Sequence, residues 1–320
     1  MRNLSKEKKE KMLLNCLYII IGVALVLAGA DRLTEGASSI ARRFGVPEIV
    51  IGLTIVACGT SMPEFFVSLM SALNGTPDMA VGNVVGSNIM NAMLIVGCSA
   101  VVAPMVISPS TVKKDIPFSV AASLLLILLG VDSAIGRWDG GILLVGFAAF
   151  MAYTLWQAKG AKTEQAAESK PQNIWLSVLW IVLGLAGLVF GSDLFVDSAS
   201  SVAAGLGVSE SVIGLTIVAG GTSLPELATS VVAARKGQSA IAIGNVIGSN
   251  VFNILLILGA TAVISPLQME GITLLDMGVM MGSITLVWLF SFTRFTVERW
   301  EGVLLIAGYL GYLGWLLSNV

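Results

Sequence analysis

Two glutamates, Glu64 and Glu226, lie inside apolar segments and occupy matching places in two copies of one motif. The motif reads GTSMPE at 59–64 and GTSLPE at 221–226, so the copies are 162 residues apart. Carboxylates inside apolar membrane segments are rare and mark pathways for ions or substrates. These two acids are therefore the first candidates for chemistry in the chain.

Neutral oxygen donors accompany both glutamates at helical spacing. A threonine, Thr60 or Thr222, precedes each glutamate by four residues, so each pair shares one face wherever the helix persists. A second motif, GNVVGSNIMN at 82–91, returns with the same offset as GNVIGSNVFN at 244–253. It repeats the four-residue spacing in its own polar members, which are Ser87, Asn91, Ser249 and Asn253.

Prolines interrupt the backbone beside the two glutamates. Pro63 and Pro225 have no amide N–H, so the carbonyls of Gly59 and Gly221 lose their helical partners. Irregular backbone at membrane depth survives only where it is buried in protein or lines a wet cavity. Freed carbonyls at the end of a half-helix carry partial negative charge, which favours a cation. The carbonyls expected to serve it lie near Ala57, Thr60, Ala219 and Thr222.

All of these donors are oxygens, and an oxygen-only set favours a hard cation. Ca²⁺ takes about six to eight oxygen ligands in tolerant geometry, and bidentate glutamates would supply several of them. Zinc and copper prefer histidine or cysteine, but the chain has no histidine and only 3 scattered cysteines. The motifs therefore predict a calcium-type site and no organic cofactor.

The composition places the chain in a lipid bilayer. Of its 320 residues, 56% are hydrophobic and 12% are charged, which is more apolar than a soluble domain. The longest polar stretch, at 158–172, lies between the two copies and is too short to fold alone. We expect the bilayer and the transported cations as partners, and no nucleic acid.

Hydropathy divides each half into five segments long enough to span a bilayer, which takes about 20 residues. An odd number of crossings makes the second copy enter from the opposite side, so the halves are inverted. The first repeat covers 1–157 with core motifs at 45–104, the linker covers 158–172, and the second repeat covers 173–320 with core motifs at 207–266. The predicted spans are 12–31, 37–72, 79–104, 116–135, 139–157, 174–194, 199–234, 241–266, 273–293 and 300–318.

Long spans interrupted by glycine or proline at matching positions of two inverted halves are the pattern of a secondary transporter. We therefore predict an all-α membrane protein of ten transmembrane helices, in which broken helices 2, 3, 7 and 8 form the ion-binding core. The first and sixth spans carry no motif, and we expect them to slide against that core.

Loop charges predict the orientation, because lysine and arginine accumulate on the cytoplasmic side. The loop lysines and arginines fall on one face of the layout, with Arg137 alone on the other. The basic N-terminal tail at 2–11 argues the other way, but the loop bias is stronger. We therefore place the linker in the cytoplasm and both termini outside.

The paired GTSxPE and GNxxGSNxxN blocks resemble the two alpha-repeats of the sodium/calcium exchanger family, within the cation/calcium antiporter superfamily. The resemblance implies a prokaryotic antiporter of the inner membrane that exchanges Ca²⁺ for Na⁺ by alternating access, and we expect it to function as a monomer. It also implies that Glu64 and Glu226 bind calcium and share in sodium binding, with the neighbouring threonines beside them. The further ligands that it implies are the carbonyls of Ala57 and Ala219 and, for sodium, Ser61, Ser223, Ser87, Asn91 and Ser249.

One position departs from the family's pattern. Many relatives have an aspartate in the second repeat where this chain has Asn253, the counterpart of Asn91. Two carboxylates balance one Ca²⁺ or two Na⁺, so a third sodium would leave the site positive. The sodium stoichiometry, potassium dependence and even the driving ion therefore stay open.

Three other classes of protein can also place mirrored glutamates in a membrane. A proton-coupled or potassium-dependent antiporter is the main alternative, although the proton-coupled branch typically carries GNxxE where this chain has GTSxPE. A channel would conduct without stoichiometric exchange. An intramembrane hydrolase would need two acids sharing a proton, and the sequence has no nucleophile or oxyanion-hole motif. We therefore expect a transporter and not an enzyme.

Overall fold

The computed structural model describes residues 2–160, 173–208, 213–269 and 271–318. The predicted linker at 158–172 therefore lies almost entirely outside the described residues. Helices make up most of the described residues, and four two-residue strands lie between some of the helices. In chain order the helices are α1 Arg2–Phe44, α2 Glu48–Thr60, α3 Met62–Leu73, α4 Pro77–Val102, α5 111–129, α6 Arg137–Gly160, α7 Ile174–Gly205, α8 213–221, α9 Leu224–Arg235, α10 Ser239–Ile264, α11 Leu274–Phe292 and α12 Arg299–Ser318.

Two small antiparallel sheets connect the repeats. β1 (Met105–Val106) pairs with β4 (Thr296–Val297), and β2 (Ala134–Ile135) pairs with β3 (Leu267–Gln268). The offset that relates the motifs also relates β1 to β3 and β2 to β4, so one sheet is the symmetry mate of the other. These strands are not predicted from the sequence, because two residues are too few to leave a periodic signal.

The protein is a mostly helical membrane protein. Among the described residues, 7 helices are long and apolar enough to cross a membrane, and up to 8 if α2 and α3, bent by 46°, form one span. The segment α5 and the α8–α9 pair are not among them. The count of ten spans therefore stays a prediction.

The prediction that a break at 32–36 separates the first and second spans is wrong. α1 continues through 32–36 and ends at Phe44, where Gly45 takes a left-handed φ of 62°. The polar residues at 31–36 include no proline, so nothing in them stops a helix. The second repeat behaves alike, since α7 runs to Gly205 and Gly207 has a φ of 90°.

The predicted breaks in helices 3 and 8 are also absent. α4 and α10 are continuous over 26 residues each. Instead of a break, each contains a π-helical segment, Asn91–Ile95 in α4 and Phe252–Leu258 in α10. Matching π-helical segments occur at Gly52–Val56 in α2 and Gly214–Val218 in α8. Such wide turns often mark functional sites.

α4 and α10 form the centre of the molecule. Their most apolar stretches are 72% and 78% buried inside the protein, against 17% for α1, α6 and α12. The peripheral helices therefore separate α4 and α10 from the lipid. Polar side chains on these two helices can be stabilised only by partners inside the protein.

The two long helices α1 and α7 pack closely against each other. A Cβ added at Gly29 would lie 2.7 Å from the carbonyl oxygen of Gly184, and one added at Gly184 would lie 2.6 Å from the amide nitrogen of Leu33. Glycines therefore allow the two backbones to touch, as in small-residue contacts between membrane helices.

Candidate cation-binding site

Each glutamate lies in the first turn of a helix that restarts in the middle of the protein. Ser61, with φ −83° and ψ 6°, separates α2 from α3, and Pro63 follows in the first turn of α3. Ser223, with φ −89° and ψ 5°, precedes α9 and Pro225 in the same way. The helix therefore does not persist between each threonine and its glutamate. The N-terminal end of the new helix favours the negative charge of the carboxylate.

A serine of the opposite repeat fixes each carboxylate. Ser223 Oγ donates to Glu64 Oε1 at 3.0 Å, and Ser61 Oγ donates to Glu226 Oε1 at 2.9 Å. The glutamates are only 1% and 0% exposed. These reciprocal contacts bring the two motifs into one buried site.

The second oxygen of each carboxylate has no hydrogen-bond donor among the described residues. Glu64 Oε2 and Glu226 Oε2 are both buried in this state, as are the side-chain oxygens of Asn91 and Asn253. Buried acceptors without partners are uncommon in folded proteins. These four oxygens are therefore candidates for coordinating a cation.

The two carboxylates are close enough to interact electrostatically. Like charges repel strongly in the low-dielectric interior of a protein. Among the described residues, no group of three or more His, Cys, Asp or Glu side chains is placed to hold a metal ion. The pair therefore carries the whole formal charge of the site, and a bound cation would stabilise it.

Four asparagines connect the two central helices in a reciprocal set. Asn91 Nδ2 donates to Asn250 Oδ1, and Asn253 Nδ2 donates to Asn88 Oδ1, both at 3.0 Å. Asn88 also donates to the Asn250 carbonyl at 3.2 Å. Because the amide nitrogens of Asn91 and Asn253 are held in this way, the orientation of their free oxygens is fixed.

The remaining predicted hydroxyls line the same site. Ser249 Oγ donates to Glu226 Oε1 at 3.4 Å, and Ser87 Oγ lies 3.0 Å from Ser223 Oγ. The single hydroxyl proton of Ser223 therefore has two acceptors within reach, Glu64 Oε1 and Ser87 Oγ.

The two predicted carbonyl ligands are described to different extents. The carbonyl oxygen of Ala57 accepts from the amide of Ser61 at 3.0 Å and from Thr60 Oγ1 at 3.4 Å. Ala219 is the first residue of the helical turn Ala219–Gly221, and its side chain is outside the described part of the chain.

Four further residues contact the site but are not predicted from the sequence: Asn83, Asn88, Asn245 and Asn250. Thr60 Oγ1 donates to Asn245 Oδ1 at 3.1 Å, and Thr222 Oγ1 donates to Asn83 Oδ1 at 3.5 Å. All four belong to the GNxxGSNxxN blocks, so their pairing in both copies was the available signal. What the sequence did not reveal is that each acts on the opposite repeat.

The two halves of the site differ in how tightly they are closed. A Cβ added at Gly248 of α10 would lie 2.6 Å from Ala57 Cβ and 2.8 Å from the Leu53 carbonyl oxygen in α2. The matching glycine of α4, Gly86, has no described atom within 4 Å of that position. Asn245 is buried, whereas Asn83 is half-buried. The site is therefore sealed where α10 begins and looser where α4 begins.

Comparison with known proteins gives consistent matches over almost the whole chain. The family model described as sodium/calcium exchanger protein matches residues 14–156 and again 176–318. The putative antiporter CaxA of Alkalimonas amylolytica is 39% identical over 96% of this chain and 100% of its own length. The sodium/calcium exchanger MaX1 of Methanosarcina acetivorans is 32% identical, over 93% of this chain and 97% of that protein.

Solved structures agree with these matches. The sodium-calcium exchanger NCX_Mj soaked with zero Na⁺ and Ca²⁺ has a TM-score of 0.84 and 32% identity, covering 95% of this chain and 99% of that one. The same exchanger soaked with 2.5 mM Na⁺ and 0.1 mM Ca²⁺ has a TM-score of 0.82 and 33% identity, covering 94% and 98%.

Proposed function

The chain belongs to the sodium/calcium exchanger family, and on that premise we propose that it exchanges Ca²⁺ for Na⁺ across a membrane by alternating access. The observation that carries the proposal is the reciprocal pair of buried glutamates. Each keeps one oxygen without a hydrogen-bond donor among the described residues while a serine of the opposite repeat holds the other. A fixed pair of carboxylates with neutral oxygens around it suits a hard divalent cation.

Competition between the two ions at overlapping oxygens provides the coupling. Either one Ca²⁺ or sodium ions neutralise the two carboxylates, and the loaded site then rearranges. An empty site crosses poorly, because bare carboxylates are costly to expose to a low-dielectric environment. The ligand set proposed for the two ions is the one predicted from the sequence, with Glu64 and Glu226 at its centre.

The difference in packing between the two halves of the site indicates the side of the membrane to which the present conformation opens. Asn83 and Gly86 lie near the start of α4, which the loop charges place towards the outside. Gly248 and Asn245 lie near the start of α10, towards the cytoplasm. We therefore assign the structure to an outward-facing state with the cytoplasmic side sealed.

Movement of the α1–α7 pair against the core would convert the outward-facing state into an inward-facing state. The pair has its own backbone contact through Gly29 and Gly184, so it can move as a unit. The proposal includes ten spans, both termini outside, an inner-membrane location, a functional monomer and transport without enzymatic chemistry.

Radioactive calcium flux in proteoliposomes tests the proposal. Vesicles loaded with ⁴⁵Ca²⁺ should release it when Na⁺ is added outside, and should retain it when no counter-ion is added. Separate potassium and proton gradients identify the driving ion. Release that follows a proton gradient and ignores sodium would replace the proposed coupling with proton antiport, and equal release without any counter-ion would indicate a channel.

A further inference from the structure

Two asparagines outside the predicted ligand set connect the two glutamate motifs. Asn245 Nδ2 donates to the backbone oxygen of Glu226 at 3.3 Å and to Ser230 Oγ at 3.0 Å. Its Oδ1 accepts a hydrogen bond from the hydroxyl of Thr60, in the other repeat, at 3.1 Å. Asn245 is 0% exposed, so these contacts are made without competition from bulk solvent.

The first repeat contains the matching arrangement. Asn83 Nδ2 donates to the backbone oxygen of Glu64 at 3.2 Å and to Ser68 Oγ at 3.0 Å. Its Oδ1 lies 3.5 Å from Thr222 Oγ1. Each asparagine therefore joins the glutamate of its own repeat to the threonine of the other.

The orientation of the Asn245 side-chain amide decides the direction in which the Thr60 hydroxyl proton points. The NH₂ group of Asn245 is held by two acceptors, so its Oδ1 must face Thr60. A hydroxyl has one proton and two acceptor lone pairs. When the proton points to Asn245, the lone pairs point elsewhere and can face a cation. Two other acceptors lie near Thr60: the carbonyl of Ala57, which is farther away at 3.4 Å, and the carboxylate of Glu226, whose oxygens a bound cation would occupy.

We infer that Asn245 and Asn83 are positioning residues that turn the hydroxyl lone pairs of Thr60 and Thr222 towards the transported cation. The inference rests on the proposed function and deepens it, because it assigns two residues that do not bind the ion themselves. A neutral amide suits this role, since its oxygen accepts a hydrogen bond from the threonine hydroxyl without adding a third charge to the site.

A double-mutant cycle on Ca²⁺ binding tests the inference. Thr60→Val removes the hydroxyl, and Asn245→Leu removes the acceptor at similar volume. We expect each variant to weaken Ca²⁺ binding by about threefold to tenfold, as for loss of one hydrogen-bonded ligand. The double variant should be no weaker than the weaker of the two single variants, because both remove the same oriented oxygen.

Asn245→Leu combined with Thr222→Val provides the matched control. The structure gives no hydrogen bond between these two side chains, so their effects on the dissociation constant should multiply. If the effects of Thr60→Val and Asn245→Leu on the dissociation constant also multiply, the inference is overturned, even if the wild-type protein binds and exchanges Ca²⁺ normally. Absence of Ca²⁺ binding by the wild type would instead overturn the proposed function.

A second cycle covers the case in which Asn245→Leu prevents folding. Asn83 and Thr222 are half-buried, so Asn83→Leu and Thr222→Val disturb the packing less. The same non-additivity is expected for this pair, measured on protein that remains monodisperse after purification. Additive losses in the Asn83 pair would overturn the inference without any use of Asn245 variants.

Discussion

Ser61 and Ser223 hold the carboxylates of the opposite repeat, and each is a neutral ligand in the proposed site. Ser61→Ala or Ser223→Ala removes a hydrogen bond to a charged acceptor. We expect the Na⁺ concentration for half-maximal exchange to rise about tenfold. The Ca²⁺ requirement should rise less, because the carboxylates dominate divalent binding.

Concentration dependence of ⁴⁵Ca²⁺ flux in proteoliposomes checks these serine variants. Ser99→Ala, a fully buried serine of α4 that has no hydrogen bond to either glutamate, is the matched control. An equal loss of affinity for both ions would contradict the assignment of the serines to sodium.

At the residue scale, the sequence indicated candidate ligands but not which residues they contact. The two glutamates and their threonines were recognisable because each occurs twice, inside apolar segments. Asn83 and Asn245 were passed over, since their role depends on which residue of the opposite repeat they meet. A linear sequence contains the repeat but not the crossing of its two copies.

At the element scale, the contact between α2 and α10 provides a test of alternation. Gly248 is packed against α2, whereas its mate Gly86 is open in this state. If the two halves exchange roles, Gly86 must become packed when the outer side closes. We predict that Gly86→Ala leaves Ca²⁺ binding nearly unchanged and slows exchange by about tenfold or more, because overpacking penalises only the closed state.

Gly248→Ala is the matched control for that variant. Its added methyl group clashes in the present conformation, so it should instead shift the protein away from the outward-facing state. The measurement compares equilibrium Ca²⁺ binding with the exchange rate in both variants. If Gly86→Ala exchanges at the wild-type rate, the two halves do not swap their packing.

Element boundaries were the least predictable part of the fold. The repeat offset and the prolines located the restarts at Ser61 and Ser223 closely. Polarity at 31–36 suggested an end to α1 that the structure does not have, because polar residues do not stop a helix that is supported by packing against α7. The π-helical segments had no sequence signal, since they replace a break without requiring glycine or proline.

At the scale of the whole molecule, the two-carboxylate site sets the charge moved in each cycle. Residue 253 is the neutral Asn253, so the proposed site has two carboxylates, which would balance one Ca²⁺ or two Na⁺. Unbalanced charge is costly inside a low-dielectric protein. We therefore predict exchange of two Na⁺ for one Ca²⁺ without net charge movement.

A potassium diffusion potential imposed with valinomycin checks this stoichiometry. Sodium-driven ⁴⁵Ca²⁺ uptake should be the same at positive, zero and negative potentials. Uptake that rises or falls with the potential would show net charge transfer and hence a third sodium ion. Asn253→Asp, which adds a carboxylate, is the variant in which potential dependence is expected to change.

The central claim is that two mirror-related glutamates bind Ca²⁺ and that Na⁺ competes for the same oxygens. Calorimetric titration of the purified protein with Ca²⁺ measures this most directly, with Glu64→Gln, Glu226→Gln and the control Glu298→Gln alongside. We predict that wild type and Glu298→Gln bind Ca²⁺ with an affinity that falls as Na⁺ is added. Each of the other two variants should bind at least about a hundredfold more weakly, because the remaining buried charge loses its partner in holding the ion. Unchanged Ca²⁺ affinity in Glu64→Gln and Glu226→Gln, or an affinity that ignores Na⁺, would contradict the claim.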